Sequence, residues 1–219
     1  MNIQHMIISL VVGYIFGNIP NGYLYAKSQG IDIYKQGSGN PGSTNISRTL
    51  GKKAGATVLL LDIAKTIVPI LMMHMIYKPA TIDEGTLITV FAGFGSILGH
   101  DFPALPMLHG GKGIACTGAL IIAFDWRMAI VLFALFLVIA KATGYVSVGS
   151  ICGVSLLFIL TAIFGYFGLL PMSMAIYPIV LVVFFLIAAL GVWQHRSNIV
   201  RLKNGTESKF HFKKLSALN

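Results

Sequence analysis

Charge is scarce in this sequence, and acid is the scarcest part of it. Only 11% of the 219 residues are charged, and seven Asp and Glu stand against sixteen Lys and Arg. A soluble domain carries about 25% charged residues, so the balance, with 56% hydrophobic residues, identifies an integral membrane protein. Cysteine is nearly missing too. Cys116 and Cys152 both lie in apolar stretches and read as small core residues, which excludes a disulfide framework. No His, Cys, Asp or Glu set has metal-ligand spacing, no nucleotide-binding βαβ unit is present, and none of the six histidines has Asp five positions on. The last absence removes acyltransferases that use an H-x-x-x-x-D pair. No repeat or low-complexity segment is evident. The first apolar run lacks a basic n-region and reads as a span, not a cleaved leader.

The apolar runs cover residues 3–26, 54–77, 85–99, 114–140, 144–169 and 171–193. The run 114–140 is long enough for one tilted helix of about 40 Å. That would bury Asp125-Trp126-Arg127 near the bilayer centre, where each charge costs about 2.5–3.5 kcal/mol. Splitting it into short helices over 114–124 and 128–140, with an outer turn at 125–127, avoids this. It also keeps the basic segments on one side. The expectation is an all-α protein of seven transmembrane helices, some short, with the amino terminus out and the carboxyl terminus in. Fourteen Lys and Arg then lie inside, including Lys213 and Lys214, against Lys78 and Arg127 outside. The net charge of +9 is explained by this topology and by anionic lipid headgroups, without nucleic acid. The chain reads as one polytopic domain, 1–219. The pairs Gly13/Gly17, Gly95/Gly99 and Gly149/Gly153 predict close helix packing inside one bundle, consistent with a monomer.

Three polar loops interrupt this apolar background. The first, 37–48, reads Gly37-Ser38-Gly39-Asn40-Pro41-Gly42-Ser43-Thr44-Asn45-Ile46-Ser47-Arg48. Its glycines permit positive φ and close backbone approach, its Ser, Thr and Asn supply polar groups, and Arg48 supplies a forked cation. That chemistry suits a phosphate-bearing substrate at a membrane surface; the alternative is a connecting turn. The second loop, 99–113, ends in Gly110-Gly111-Lys112-Gly113 ahead of a helix near Ile114. Glycine amides before a helix N-terminus form an anion site. Pro106 and Gly113 exclude a Walker A loop, and a glycine turn with a snorkelling Lys112 is the plain alternative. The third segment, 195–209, places His195 and Asn198 on one helical face and holds one acid, Glu207, expected to pair with a neighbouring base. A polybasic anchor is its alternative.

Other polar residues lie within the spans. Asp62 and Lys65 are three apart and can pair, either as functional groups or as a structural bridge. Asn18, Pro20, Asn21 and Gly22 make the first span unusually polar, as a cleft wall would be. Ser147 and Ser150 begin a helix, where capping is the simple role. His5, His74 and His211 belong to no cluster.

The three segments resemble, in order and spacing, the motifs GSGNxGxTNxxR, GHxFPxxxxxxGGKG and HxxNIxRLxxGxExK of the bacterial acyl-phosphate:glycerol-3-phosphate acyltransferases, the PlsY family. The likeness extends to Gly17–Leu24, Asp62/Lys65 and Tyr145–Ser150. Departures are Ser43 for a common Ala, Leu108-His109 for Phe and a basic residue, and Cys116 for a frequent Thr. The resemblance implies transfer of a fatty acyl group from acyl phosphate to the 1-hydroxyl of sn-glycerol 3-phosphate, giving lysophosphatidic acid and phosphate as the first acylation of phospholipid synthesis. It implies a bacterial cytoplasmic-membrane enzyme with its site facing the cytoplasm and no cofactor. Ser38, Arg48, Lys112 and His195 would hold glycerol 3-phosphate and orient its hydroxyl, with His195, Asn198 and Ser38 as the catalytic candidates. Thr44, Asn45, the amides of Gly110, Gly111 and Gly113, and Asn198 would hold the acyl phosphate. Lys65, Ser147 and Ser150 are further substrate-binding candidates, with Asp62 and Glu207 structural. His195 or the substrate's phosphate is the base, and the acyl chain enters between helices from the membrane. An organic-phosphate or anion transporter is the alternative from another class.

Overall fold

The structure is a computed structural model that describes residues 2–104 and 108–210. Residues 105–107 of the second loop, and His211, Lys213 and Lys214 in the tail, lie outside the described residues. Every regular element described is helical: α1 (Ile3–Gly17), α2 (Asn21–Ser28), a 3-10 turn (Ile33–Lys35), α3 (Ser43–Leu50), α4 (Lys52–Tyr77), α5 (Ile82–Asp101), α6 (Ile114–Phe124), α7 (Trp126–Thr143), α8 (Val146–Tyr166), α9 (Tyr177–Gln194) and α10 (Arg196–Lys203). Six helical stretches are long and apolar enough to cross a membrane, the first being Ile3–Ser28; α6 is a shorter apolar helix.

The first span is broken where its sequence is polar. Proline lacks an N–H and fixes φ, and α1 ends before Asn18-Ile19-Pro20. The 114–140 run is also divided. Asp125 is extended and ends α6, and its carboxylate accepts from the backbone N–H of Arg127 and Met128, capping α7. Its oxygens also take a 2.5 Å ion pair with Arg127, whose guanidinium donates to the Leu169 carbonyl. Burial raises the Asp125 pKa, but these hydrogen bonds outweigh it and hold the carboxyl below its usual range. The second short helix starts at Trp126 and runs to Thr143, longer than the predicted 128–140, because Asp125 alone serves both helix ends.

Four glycines of α1 and α5, Gly13, Gly17, Gly95 and Gly99, form a seam with no space to spare. A Cβ on Gly13 would lie 2.0 Å from the Ala92 carbonyl oxygen, and one on Gly95 2.0 Å from that of Leu10. Gly17 and Gly99 meet Ser96 and Tyr14 in the same way. The third pair divides: Gly149 packs on Phe136 of α7, whereas a Cβ on Gly153 would meet nothing within 4 Å. The main core gathers Leu120, Phe124, Met128, Leu157, Phe184 and Ile187 from α6 to α9. A smaller cluster, Ala26, Ile33, Ile46, Ala54 and Val58, seats the first loop on α2 and α4.

Candidate functional site

The three motif segments converge at one end of the helical bundle. In the first, Gly37 has φ of +56° and lies so close to Asn45 that a Cβ would come within 2.3 Å of its Oδ1. Only glycine fits both conditions. Asn45 uses its whole side chain here: Oδ1 accepts from the Ser38 amide and Nδ2 donates to the Gln36 carbonyl. The turn therefore delivers α3, whose N-terminus has no side-chain cap. Among the described residues no hydrogen bond claims the hydroxyls of Ser38 and Thr44.

The second loop leads into α6 in a similar way. Gly113, at φ of +66°, is the N-cap, again without a side-chain cap. Gly110 and Gly111 are glycine for a different reason from the one expected. A Cβ on Gly111 would lie 2.0 Å from His100 Nε2, one on Gly110 would lie 2.1 Å from the Asp101 carbonyl oxygen, and the Gly111 amide already donates to the His100 carbonyl. These two pack against α5 and do not line the main cavity, whereas Lys112 and Gly113 do. Tyr34 ties the two loops, donating to the His109 carbonyl and accepting from the His109 amide. Nothing in the sequence spacing marks this tie.

In the third segment Glu207 organises its neighbours. It accepts from Ser147 (2.9 Å), Asn198 Nδ2 (2.7 Å) and Arg201 (2.7 Å). Burial would raise its pKa, but these donors lower it below the ordinary glutamate range. Asn198 Oδ1 in turn accepts from Lys112 Nζ, so Asn198 links the second and third segments. Ser147 is committed to Glu207 and Ser150 donates to the Val146 carbonyl; neither caps α8. Arg48 donates to the Ser208 carbonyl, fastening the first segment to the third.

His195 is only 3% exposed. Its Nδ1 lies 2.7 Å from the Gly191 carbonyl, which can only accept, so Nδ1 carries the proton and Nε2 holds a lone pair. Burial pulls its pKa down to about 4, with Lys112 adding to the effect. Burial also lowers Lys112 to about 8, reinforced by Arg201 and Arg48 and partly offset by Glu207.

Asp62 and Lys65 pair at 3.1 Å. Lys65 also approaches His100 Nδ1 at 2.8 Å and donates to the Ile19 carbonyl at 2.9 Å, while Asn21 donates to Asp62. The polar residues after α1 thus complete a buried charge cluster. Asp62 and His100 reach the main cavity wall; Lys65 lies behind them, against a small second cavity, and its donors are engaged by the protein. Lys65 does not reach the main cavity where most substrate-binding candidates gather; it shares the small one with Gly110 and Gly111. Among the described residues no three His, Cys, Asp or Glu come together as a metal-ligating group.

One cavity of about 820 Å³ joins these parts. Its polar end holds Ser38, Thr44, Arg48, Lys112 and His195, with the uncapped N-termini of α3 and α6. Its other end runs between α4, α6, α7 and α8 and is apolar. These helix N-termini, with Arg48 and Lys112, can neutralise phosphate charge, and the apolar arm can take hydrocarbon.

The sequence model of the family described as glycerol-3-phosphate acyltransferase matches residues 7–205. The glycerol-3-phosphate acyltransferase of Clostridioides difficile (strain 630) is 37% identical over 221 residues, covering 98% of this chain and all of the relative. The crystal structure of PlsY (YgiH), an integral membrane glycerol 3-phosphate acyltransferase, in its glycerol 3-phosphate form, superposes with a TM-score of 0.80 at 33% identity, covering 94% of this chain and 96% of that one. The lysophosphatidic acid form of that protein gives 0.77 at the same identity, covering 94% and 95%.

Proposed function

The chain belongs to the glycerol-3-phosphate acyltransferase family, and on that premise we propose that it takes its acyl group from an acyl phosphate and delivers it to the 1-hydroxyl of glycerol 3-phosphate. It is a multi-pass membrane acyltransferase that acylates glycerol 3-phosphate in phospholipid synthesis. The donor is the proposed part. One observation carries it: a single cavity has the uncapped N-termini of α3 and α6 beside Arg48 and Lys112 at one end and an apolar arm at the other. An acyl phosphate has that shape, a phosphate head on a hydrocarbon tail. A second phosphate, that of glycerol 3-phosphate, accounts for the second anion site.

In this reading Arg48, Lys112 and Ser38 hold glycerol 3-phosphate, while Thr44 and the N-terminus of α6 beyond Gly113 hold the acyl-phosphate head. Asn45, Asn198, Glu207 and Ser147 act one step back, by fixing the first loop, Lys112 and the third segment. The glycerol hydroxyl oxygen attacks the carbonyl carbon, an ester C–O bond forms, and the anhydride C–O bond breaks to release inorganic phosphate with its electron pair. Acyl phosphate is already activated, so no enzyme nucleophile is required. The hydroxyl donates a hydrogen bond to Nε2 of His195, which orients it. With its pKa near 4, His195 is a poorer proton acceptor than a phosphate monoester, whose second pKa is about 6. The proton therefore goes to phosphate.

We further assign the three motif segments to the cytoplasmic face of a bacterial inner membrane, with α6 completing seven membrane helices and the amino terminus outside. Lys78 and Arg127 are at the far end of the bundle and the motif cations at the near end, as the positive-inside rule requires. One chain supplies the whole site, in keeping with a monomer. The donor assignment is tested with purified protein, labelled glycerol 3-phosphate and either palmitoyl phosphate or palmitoyl-CoA. Product from palmitoyl phosphate alone supports it; comparable rates from palmitoyl-CoA overturn it.

A further inference from the structure

Gly118 of α6 and Gly153 of α8 both line the main cavity, and a Cβ built on either meets nothing within 4 Å. Both sit inside helices, where glycine weakens the helix relative to alanine. Membrane helices ordinarily recover that loss by close packing, as α1 and α5 do here. At these two glycines the side-chain direction meets no neighbouring protein atom within 4 Å. The space beside them belongs to the cavity and is continuous with its cationic end.

The apolar arm also opens sideways. Leu59, Ile122 and Phe133 line the cavity and are 39%, 53% and 62% exposed. They come from α4, α6 and α7, so the opening lies on the lateral face of the bundle. Along α6, which starts at Ile114, Gly118 lies about 6 Å and Ile122 about 12 Å from the helix start, at 1.5 Å per residue. The arm therefore penetrates well into the inner half of a hydrocarbon layer about 30 Å thick. The occupant that fits a cationic head, an apolar arm and a lateral opening is a single fatty acyl chain.

We propose that Gly118 and Gly153 are the specificity-determining positions for acyl-chain length, keeping the arm open so that a long chain can run past them. This deepens the function proposed above and rests on that reading of the cavity. A side chain at either position obstructs the part of the chain that lies deeper than the glycines. Short chains end near that level and feel it least.

The test compares Gly118→Leu and Gly153→Leu with the unaltered protein, measuring kcat/KM for octanoyl and palmitoyl donors. The expected result is a fall in the palmitoyl-to-octanoyl ratio of tenfold or more in each Leu variant, and a smaller fall in the corresponding Ala variants. The Ala variants add one methyl into open space, so they provide the reading if a Leu variant does not fold. An unchanged ratio in all four overturns the proposal, and so does an equal loss on both donors by a folded variant. The ratio is read with whichever acyl donor the unaltered protein accepts. Failure of the acyl-phosphate assignment therefore leaves this test standing, and a null ratio leaves that assignment standing.

Discussion

Two glycine-bearing regions of the molecule use the same residue for opposite ends. Along α1 and α5, glycine removes the side chain so that backbone can touch backbone: Gly13 and Gly95 each leave only 2.0 Å between a hypothetical Cβ and a carbonyl oxygen. Along α6 and α8, Gly118 and Gly153 remove the side chain and nothing takes its place. The first region is a fixed wall. The second is a wall with room reserved beside it. The spacing is glycine at i and i+4 in both Gly95/Gly99 and Gly149/Gly153, so spacing alone does not tell a seam from a cavity.

The largest expected effect lies in the seam. Gly95→Leu forces a side chain into the Leu10 backbone, and overpacking of this severity costs about 3 kcal/mol. The yield of folded, detergent-soluble protein should collapse. Gly153→Ala should leave thermal unfolding unchanged or slightly higher, because alanine is a better helix former by about 1 kcal/mol. Equal stability losses in the two variants would abolish the contrast.

The next effect concerns the cationic end. Lys112→Met should lower kcat/KM for glycerol 3-phosphate about 100-fold, the scale for losing one positioned electrostatic partner. Arg48→Lys keeps the charge and loses the fork, and should cost about tenfold. Wild-type activity in both would remove these side chains from the anion sites.

A smaller effect separates the two titrating groups. The unliganded Lys112 pKa is lowered to about 8, so its charge is present below that pH and lost above it. The KM for glycerol 3-phosphate should rise above about pH 8, and this limb should be missing in Lys112→Met. His195 is neutral above about pH 4. An acid limb near pH 6 should therefore follow phosphate titration and persist in His195→Ala, whose defect should be a lower kcat. Disappearance of that limb in His195→Ala would make the imidazole the base after all.

The smallest expected effect is topological. Cysteines placed at Asn204 and Asp83 test sidedness in intact cells with an impermeant reagent. Label at 83 and none at 204 is expected; the reverse would invert the assigned orientation.

Much of the architecture is legible from residue chemistry. The charge of Asp125-Trp126-Arg127 is incompatible with mid-membrane burial, and that incompatibility places a turn between α6 and α7. The motifs name the residues that line the polar end of the cavity, because glycine turns, cations and helix starts are local features. What sequence hides is which neighbour each group uses. Gly111 reads as a phosphate cradle, yet His100 occupies the space against it. Lys65 reads as a substrate contact, yet Asp62, His100 and the Ile19 carbonyl engage it. Tyr34 looks unremarkable until it bridges to His109, 75 residues away. Such pairings depend on tertiary placement of distant segments, which no periodicity records.

Where the acyl chain lies is decided by a crystal structure with a long-chain, non-hydrolysable acyl-phosphate analogue bound. Its phosphate should lie at the polar end, against the N-terminus of α6 and within reach of Thr44, and its chain should pass between Gly118 and Gly153 toward the opening at Ile122 and Phe133. Density for the chain outside this arm, with the two glycines facing an unfilled cavity or lipid alone, would contradict this placement.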